Sequence, residues 1–226
     1  MRPGPEWFIF IETVGILSFA INAMIVGWDR KLSTLGIFLC AAAAALGGGT
    51  LRDILLGPQA QPFFWVAHPF YIVAIFVLSV GYAHLDIIRR IIGKRIASLK
   101  DVAETVAFAS LGSLGASKAF NMLSASAETG LVAMAHLWIL VAIFGAVSAA
   151  FGSIIRDVLV NEFPAALRPG VGSLESLFIG SGVLAALRMA EVPQAWALLA
   201  GFLIIMFIKG WAVVASFQAT KGKKAS

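Results

Sequence analysis

Long apolar stretches separated by short polar segments limit most strongly how this chain can fold. We mark seven of them, at residues 7–26, 32–56, 70–85, 102–123, 131–160, 171–187 and 195–217. Most come close to the roughly 20 residues that a helix needs to cross a bilayer, and they lack the strict alternation of a barrel strand. In addition, only 13% of the 226 residues are charged. The sequence therefore predicts an all-α polytopic membrane protein, with seven transmembrane helices in a single membrane domain, residues 1–226.

The basic residues between these stretches predict the orientation of the chain. One side would hold eleven of them: Arg30, Lys31, Arg89, Arg90, Lys94, Arg95, Lys100, Arg168, Lys221, Lys223 and Lys224. The other side would hold Arg2 and Arg188. Because positively charged loops stay in the cytoplasm, we expect the N-terminus outside and the C-terminus in the cytoplasm. The net charge of +5 has the same explanation and does not indicate a nucleic-acid partner.

Four of these basic residues lie close together between the third and fourth stretches. Arg89, Arg90, Lys94 and Arg95 alternate with apolar residues at helical spacing. The pattern is typical of a basic amphipathic helix that faces lipid. One interpretation is binding to anionic lipid headgroups, and the other is a plain positively charged loop.

A glycine-rich motif that ends in an Arg-Asp pair occurs twice. Residues 47–53 read Gly-Gly-Gly-Thr-Leu-Arg-Asp, and residues 152–157 read Gly-Ser-Ile-Ile-Arg-Asp. A Glu-Thr-Val sequence also recurs, at Glu12 and again at Glu104. Both matches come in the same order, which indicates an internal duplication. Since three stretches form each copy, the second copy must enter the membrane inverted. We expect two inverted three-helix repeats, 7–85 and 102–187, and a seventh helix at 195–217 that closes the bundle.

The small residues of the two motifs are interpreted as helix bends that line a path near the bilayer centre. Glycine weakens a helix, and exposed carbonyl groups at membrane depth suit a partly dehydrated cation. The alternative is that these residues allow close helix packing. The residues concerned are Gly47, Gly48, Gly49, Gly152 and Ser153.

The charged residues of the motifs are expected at opposite mouths of this path. Neighbours on a helix point about 100° apart, so the Arg and Asp of one motif are not expected to form an ideal pair, and each is expected to find a partner on another helix. Glu12 and Glu104 are the expected partners of Arg52 or Arg156. Bracing of the bundle and attraction of ions remain equally open as roles. The mouth charges are Arg52, Asp53, Arg156, Asp157, Glu12 and Glu104.

The fourth stretch carries a polar stripe. Its members, with their counterparts on the first stretch, are Ser110, Ser113, Ser117, Lys118, Asn121, Ser18 and Asn22. A lysine inside a membrane is a functional-site hypothesis in itself, and Lys118 would repel cations at a gate, pair with an acid or reach the interface. The serines would line a pore, or they would bond the preceding turn of their own helix. The seventh stretch carries one charge, Lys209.

The two motifs, the seven stretches and the expected outside N-terminus resemble the trimeric intracellular cation (TRIC) channels, and above all their bacterial and archaeal branch. The motif pair also marks a related bacterial two-repeat family of glycine transporters. The resemblance implies a homotrimer in the bacterial inner membrane, with a pore in each protomer that passes potassium and, less selectively, sodium. It implies no cofactor, bends at Gly48, Gly49, Gly152 and Ser153, and a position near the pore for Lys118. The Lys-Glu-Gly signature that binds phosphoinositide in animal members is absent from this sequence.

Other functions fit the residues less well. The alternative to a channel is a transporter of a small zwitterion such as glycine, whose carboxylate would meet helix N-termini. An enzyme is not expected, because His68, His84 and His136 are scattered along the sequence and supply no catalytic constellation. The single cysteine, Cys40, makes a cysteine-based metal site implausible.

Overall fold

The protein is an all-helical bundle. The computed structural model describes residues 6–84, 96–126, 130–168 and 172–223, and no strand occurs within them. Its long helices are α1 (Glu6–Asp29), α2 (Thr34–Leu56), α3 (Phe70–His84), α4 (Ile96–Leu123), α5 (Leu131–Leu159), α6 (Ser173–Met189) and α7 (Gln194–Lys223). Shorter pieces join some of them: the helix Phe64–Ala67 and the 3₁₀ turns Pro58–Ala60, Ser124–Ser126 and Ala165–Leu167. The seven apolar stretches of the sequence thus correspond to seven long helices.

Five segments are long and apolar enough to cross a membrane: Trp7–Asp29, Thr34–Leu56, Pro58–His84, Leu131–Leu159 and Gln194–Ala215. This finding confirms a polytopic membrane protein, although α4 and α6 are not among the five. Helix α6 has only 17 residues, and α4 carries charged residues from Lys100 to Lys118. Most of the α4 residues between positions 103 and 120 are nevertheless buried, so its polar side chains face other helices.

Helices α4 and α5 form the centre of the bundle. Helix α1 packs on α2 and α4, α2 packs on α5, and α5 packs on α4 and α6. Helix α7 lies against α4 and α6. Large apolar side chains such as Phe207, Trp211 and Leu131 are exposed on the surface, as expected where lipid replaces water as the solvent.

Side-chain contacts show which helix ends lie together. At one end, Arg30 after α1 forms an ion pair with Glu162 after α5, and Lys100 at the start of α4 bonds Asp29 with a distance of 2.6 Å. We call this the Arg30 end. At the other end, Tyr71 of α3 donates a hydrogen bond of 2.9 Å to Glu12 of α1. We call this the Tyr71 end.

Candidate functional site

Helices α2 and α5 cross with their backbones in contact. The contact is possible because Gly48 and Gly152 lack side chains at the crossing. A Cβ on Gly48 would overlap the carbonyl oxygen of Ser148, and a Cβ on Gly152 would overlap that of Ala44. The two relations are equivalent, since Gly152 lies 104 positions after Gly48 and Ser148 lies 104 positions after Ala44. Small residues permit such close packing of membrane helices.

The other small residues of the motifs also face neighbouring groups. A Cβ on Gly47 would come within 2.9 Å of Ile155, and one on Gly49 within 2.6 Å of Phe64. Ser153 is buried and donates a hydrogen bond of 2.9 Å to the carbonyl oxygen of Ala150. Both helices are continuous through the motifs. The geometry at this crossing is that of close packing, and a role of these residues as bends along an ion path stays a prediction.

A first group of charged residues lies at the Tyr71 end, beside the crossing. The buried Oδ1 of Asp53 accepts hydrogen bonds from Arg52 Nε at 2.8 Å and from Lys118 Nζ at 2.9 Å. Arg52 also donates to Ser148 Oγ across the crossing, at 3.1 Å. These contacts join α2, α4 and α5. With Glu12, which interacts electrostatically with Arg52 and Lys118, we call this group the Asp53 cluster.

A second group lies at the Arg30 end and repeats much of the first. Arg156 Nε donates to Asp157 Oδ1 at 2.8 Å, as Arg52 does to Asp53. Arg156 also bonds Asn22 of α1 and forms an ion pair of 3.3 Å with Glu104 of α4. The second carboxylate oxygen of Asp157 accepts a hydrogen bond of 2.8 Å from the Ala165 amide. Together with Lys209, whose contact with Glu104 is given next, we call this group the Asp157 cluster.

Lys209 of α7 is a buried member of this cluster that the sequence interpretation did not assign to the site. Its Nζ lies 2.7 Å from Ser173 Oγ, 3.7 Å from Glu104 Oε2 and 4.0 Å from the centre of the Phe108 ring. The signal was present in the sequence, because Lys209 is the one charge in an apolar stretch. An ionisable residue in such a position is a functional-site hypothesis by default.

Two expectations about pairing meet different outcomes. The expected contact between Glu104 and Arg156 is confirmed, whereas Glu12 accepts from Tyr71 rather than from an arginine. The expectation that adjacent Arg and Asp do not pair is wrong, since Arg52 Nη2 lies 2.7 Å from Asp53 Oδ1 and the second motif repeats this contact. The angle between neighbouring Cα–Cβ bonds did not decide the matter, because the long arginine stem turns back to its neighbour.

The polar stripe of α4 divides into buried and exposed parts. Ser113 is buried and bonds the carbonyl oxygen of Ala109 on its own helix, at 2.6 Å. Ser117 accepts from Gln194 of α7 at 2.9 Å, and the buried Ser110 hydroxyl has no hydrogen-bond partner among the described residues. Asn121 is exposed, and Ser18 on α1 is half-buried.

The basic segment that the sequence analysis assigned to a lipid surface lies outside the described residues. It comprises Arg89, Arg90, Lys94 and Arg95.

The family model described as "Glycine transporter" matches residues 9–86. Among curated proteins, the chain is 28% identical over 202 residues to UPF0126 inner membrane protein YadS of Escherichia coli (strain K12), with 88% of each chain covered. A UPF0126 membrane protein of Vibrio cholerae is also 28% identical, and the match covers 88% of this chain and 76% of the other.

Solved structures of TRIC channels match nearly the whole chain. The structure described as "Structural basis for conductance through TRIC cation channels" matches with a TM-score of 0.76 and 26% identity, covering 92% of this chain and 94% of that chain. The TRIC channel orthologue from Rhodobacter sphaeroides matches with a TM-score of 0.78 and 24% identity, covering 94% and 100%. These likenesses confirm that the chain, an integral membrane protein, has the fold of the prokaryotic TRIC channels and resembles that family and the related glycine-transporter family.

Proposed function

We propose that this protein is a channel for monovalent cations, which conducts potassium passively, and sodium less selectively, through a path inside each protomer of a homotrimer. The observation that carries the proposal is the location of the charged residues. Arg52, Asp53, Arg156 and Asp157 are all buried inside a bundle with an apolar surface. Charges are stable at membrane depth where they pair with each other or line a water-filled cavity.

The arrangement of these charges suits the passage of a small ion better than catalysis of a chemical reaction. Each cluster holds both acids and bases, so neither end of the path carries a strong field of one sign. The lysine at the Tyr71 end keeps 25% of its side-chain surface exposed, which allows contact with water. Pores of this kind select through the polar groups and charges that line them.

Two inverted repeats, 7–85 and 102–187, are part of the proposal. The paired contacts of Gly48 and Gly152 at the crossing support it, as do the repeated contacts within the two Arg-Asp pairs. Inverted repeats place related helices around a common path through the membrane. In this arrangement the Arg30 end faces the cytoplasm, and the N-terminus lies outside the bacterial inner membrane.

The likeness to known proteins supports the same function. The similar structure at 26% identity is that of a cation channel for which conductance is described, and the similar protein of Escherichia coli is an inner membrane protein. Neither relative is described as an enzyme, and we propose no catalysis. Membrane lipids, including anionic ones, are the remaining partners that we propose.

Purified protein in planar bilayers tests the proposal. We expect unitary potassium currents that reverse at the potassium equilibrium potential, and no currents in bilayers without protein. The variant Asp29→Asn, which changes an acid at the surface of the Arg30 end, serves as a matched control and is expected to conduct as well. Saturable solute uptake without any current would contradict the channel.

The second candidate is a transporter of a small zwitterion such as glycine. The family match over residues 9–86 favours it, and so does the close approach of Lys118 to Asp53, which offers both signs of charge to an amino acid. Uptake of radiolabelled glycine that Arg52→Ala abolishes, in protein without conductance, would support this alternative.

A further inference from the structure

The two charge clusters contain the same four residue types. The Asp53 cluster has Glu12, Arg52, Asp53 and Lys118, and the Asp157 cluster has Glu104, Arg156, Asp157 and Lys209. The Glu, Arg and Asp members correspond through the sequence repeat. The lysines correspond as well, since each comes from the helix that follows a three-helix unit, α4 in one case and α7 in the other. Helix α7 therefore completes the second cluster rather than only closing the bundle.

Lys209 is held more tightly than Lys118. Only 1% of the Lys209 side chain is exposed, against 25% for Lys118. The Ser173 hydroxyl and the Phe108 ring contact its ammonium group, and Glu104 supplies the opposite charge. An ammonium group buried to this extent destabilises a protein unless such partners surround it. Lys209 and Arg156 thus hold the Glu104 carboxylate from two sides.

The aspartate carboxylates of the two clusters differ in their hydrogen bonds, and again the group in the Asp157 cluster is held more tightly. Oδ2 of Asp53 is buried and has no hydrogen-bond partner among the described residues, whereas Oδ2 of Asp157 accepts from the Ala165 amide. The Asp157 cluster is therefore the more completely bonded of the two. The charged groups at the Arg30 end are thus more completely paired, and the lysine at the Tyr71 end is the more exposed of the two.

We propose that Lys209 is a positioning residue that keeps the Arg30 end of the path closed. Its ammonium holds the Glu104 carboxylate against Arg156, and this contact links α4, α5 and α7 across the path. The inference rests on the proposed function insofar as it assumes a path between the two clusters. Release of Lys209 from Glu104 would open that path toward the Arg30 end.

Labelling of a single cysteine by a membrane-impermeant thiol reagent tests this inference without a current measurement. Ser148→Cys places a thiol beside the crossing, between the two clusters, and Cys40→Ala removes the buried native cysteine. The reagent is applied separately to each face of sealed vesicles. We expect slow labelling from the Arg30 end in this parent protein. Adding Lys209→Met should raise the rate from that face by at least about tenfold, the factor that about 1.4 kcal/mol in a closing equilibrium produces.

Two control variants separate the effect of the positive charge at position 209 from the effect of removing any lysine at the Arg30 end. Lys209→Arg retains the cation and is expected to label as slowly as the parent protein. Lys100→Met removes a lysine from the same end, where Lys100 pairs with Asp29 away from the path, and is also expected to label slowly. Unchanged labelling in a folded Lys209→Met protein would overturn the proposal, as would equal acceleration by Lys100→Met.

Further variants cover the case in which Lys209→Met does not assemble. Lys209→Gln can still form a hydrogen bond with Ser173. Glu104→Asp keeps the negative charge opposite Lys209 on a side chain that is one methylene group shorter. Both are expected to accelerate labelling from the Arg30 end, and slow labelling in both would overturn the proposal. Failure of the channel proposal is distinguishable, because a protein without potassium current can still show the labelling pattern. Conversely, a conducting protein with unchanged labelling refutes only the role of Lys209.

Discussion

Lys118 of α4 and Asp53 of α2 form an ion pair, with 2.9 Å between Nζ and Oδ1 and a fully buried carboxylate. The pair joins two helices from different halves of the sequence. It also places a positive charge where the proposed path is most accessible. Removal of that charge therefore tests the role of the Tyr71 end most directly.

Lys118→Met is expected to raise the potassium conductance. A fixed cation opposes a passing cation, so its removal lowers the barrier, by up to about tenfold in rate if the change is about 1.4 kcal/mol. Arg52 still pairs with Asp53 in this variant, which should preserve the fold. Single-channel recording checks the result, with Lys118→Arg as the control that keeps the charge. Equal conductance in both variants would show that Lys118 does not face the ion.

Gly48→Ala and Gly152→Ala are each expected to destabilise the protein. The added methyl group would overlap a facing backbone carbonyl, which cannot turn away as a side chain can. Overpacking of this kind costs about 1–3 kcal/mol or more. Thermal unfolding in detergent checks this.

Gly210→Ala is the matched control for the two crossing glycines. Gly210 also lies within a helix, but nothing stands within 4 Å of an added Cβ there. The substitution should be neutral or should stabilise the helix by up to about 1 kcal/mol. Equal loss of stability in all three variants would mean that the crossing is not a special contact.

Arg156→Gln should lower stability more than Arg52→Gln. Arg156 contacts Asp157, Glu104 and Asn22, and loss of one partner from a buried pair costs about 3–5 kcal/mol. After Arg52→Gln, Asp53 keeps Lys118 as its partner, so the loss should be smaller. Unfolding midpoints of the two purified variants decide the order. A larger loss for Arg52→Gln would contradict the view that the Asp157 cluster is the more completely bonded.

A fluorescent protein fused to the C-terminus is expected to fluoresce, and alkaline phosphatase fused there is expected to be inactive. The fluorescent protein folds in the cytoplasm, and the phosphatase needs an oxidising compartment to form its disulfides. The expectation follows from the eleven basic residues assigned to the cytoplasmic side. Fusions after residue 126, in the segment between α4 and α5, supply the matched control and should behave in the opposite way.

The sequence predicted the helices well because the spacing of apolar residues reports directly on the bilayer. It also predicted the Glu104–Arg156 contact, since a buried arginine requires an acid and the repeat placed one nearby. It predicted α4 as well, although the charges of this central helix from Lys100 to Lys118 lower its mean hydropathy. Burial of α4 depends on neighbouring helices, and their arrangement is not contained in its own composition.

The details of the site depended on distances that a sequence does not contain. How closely α5 approaches Gly48 depends on what stands opposite, and here it is the carbonyl group of Ser148. The pairing of Arg52 with its neighbour depends on the turn of a long side chain. The position of Lys209 required knowledge of which face of α7 meets α4.

The contact of two bare backbones at Gly48 and Gly152 also restricts how α2 and α5 can move. With no side chains between them at this point, the helices have no layer that could compress or expand. A motion that preserves the contact must rotate one helix relative to the other about their crossing point. The two ends of each helix then swing in opposite directions, so that a single rotation changes the width of both ends of the bundle together.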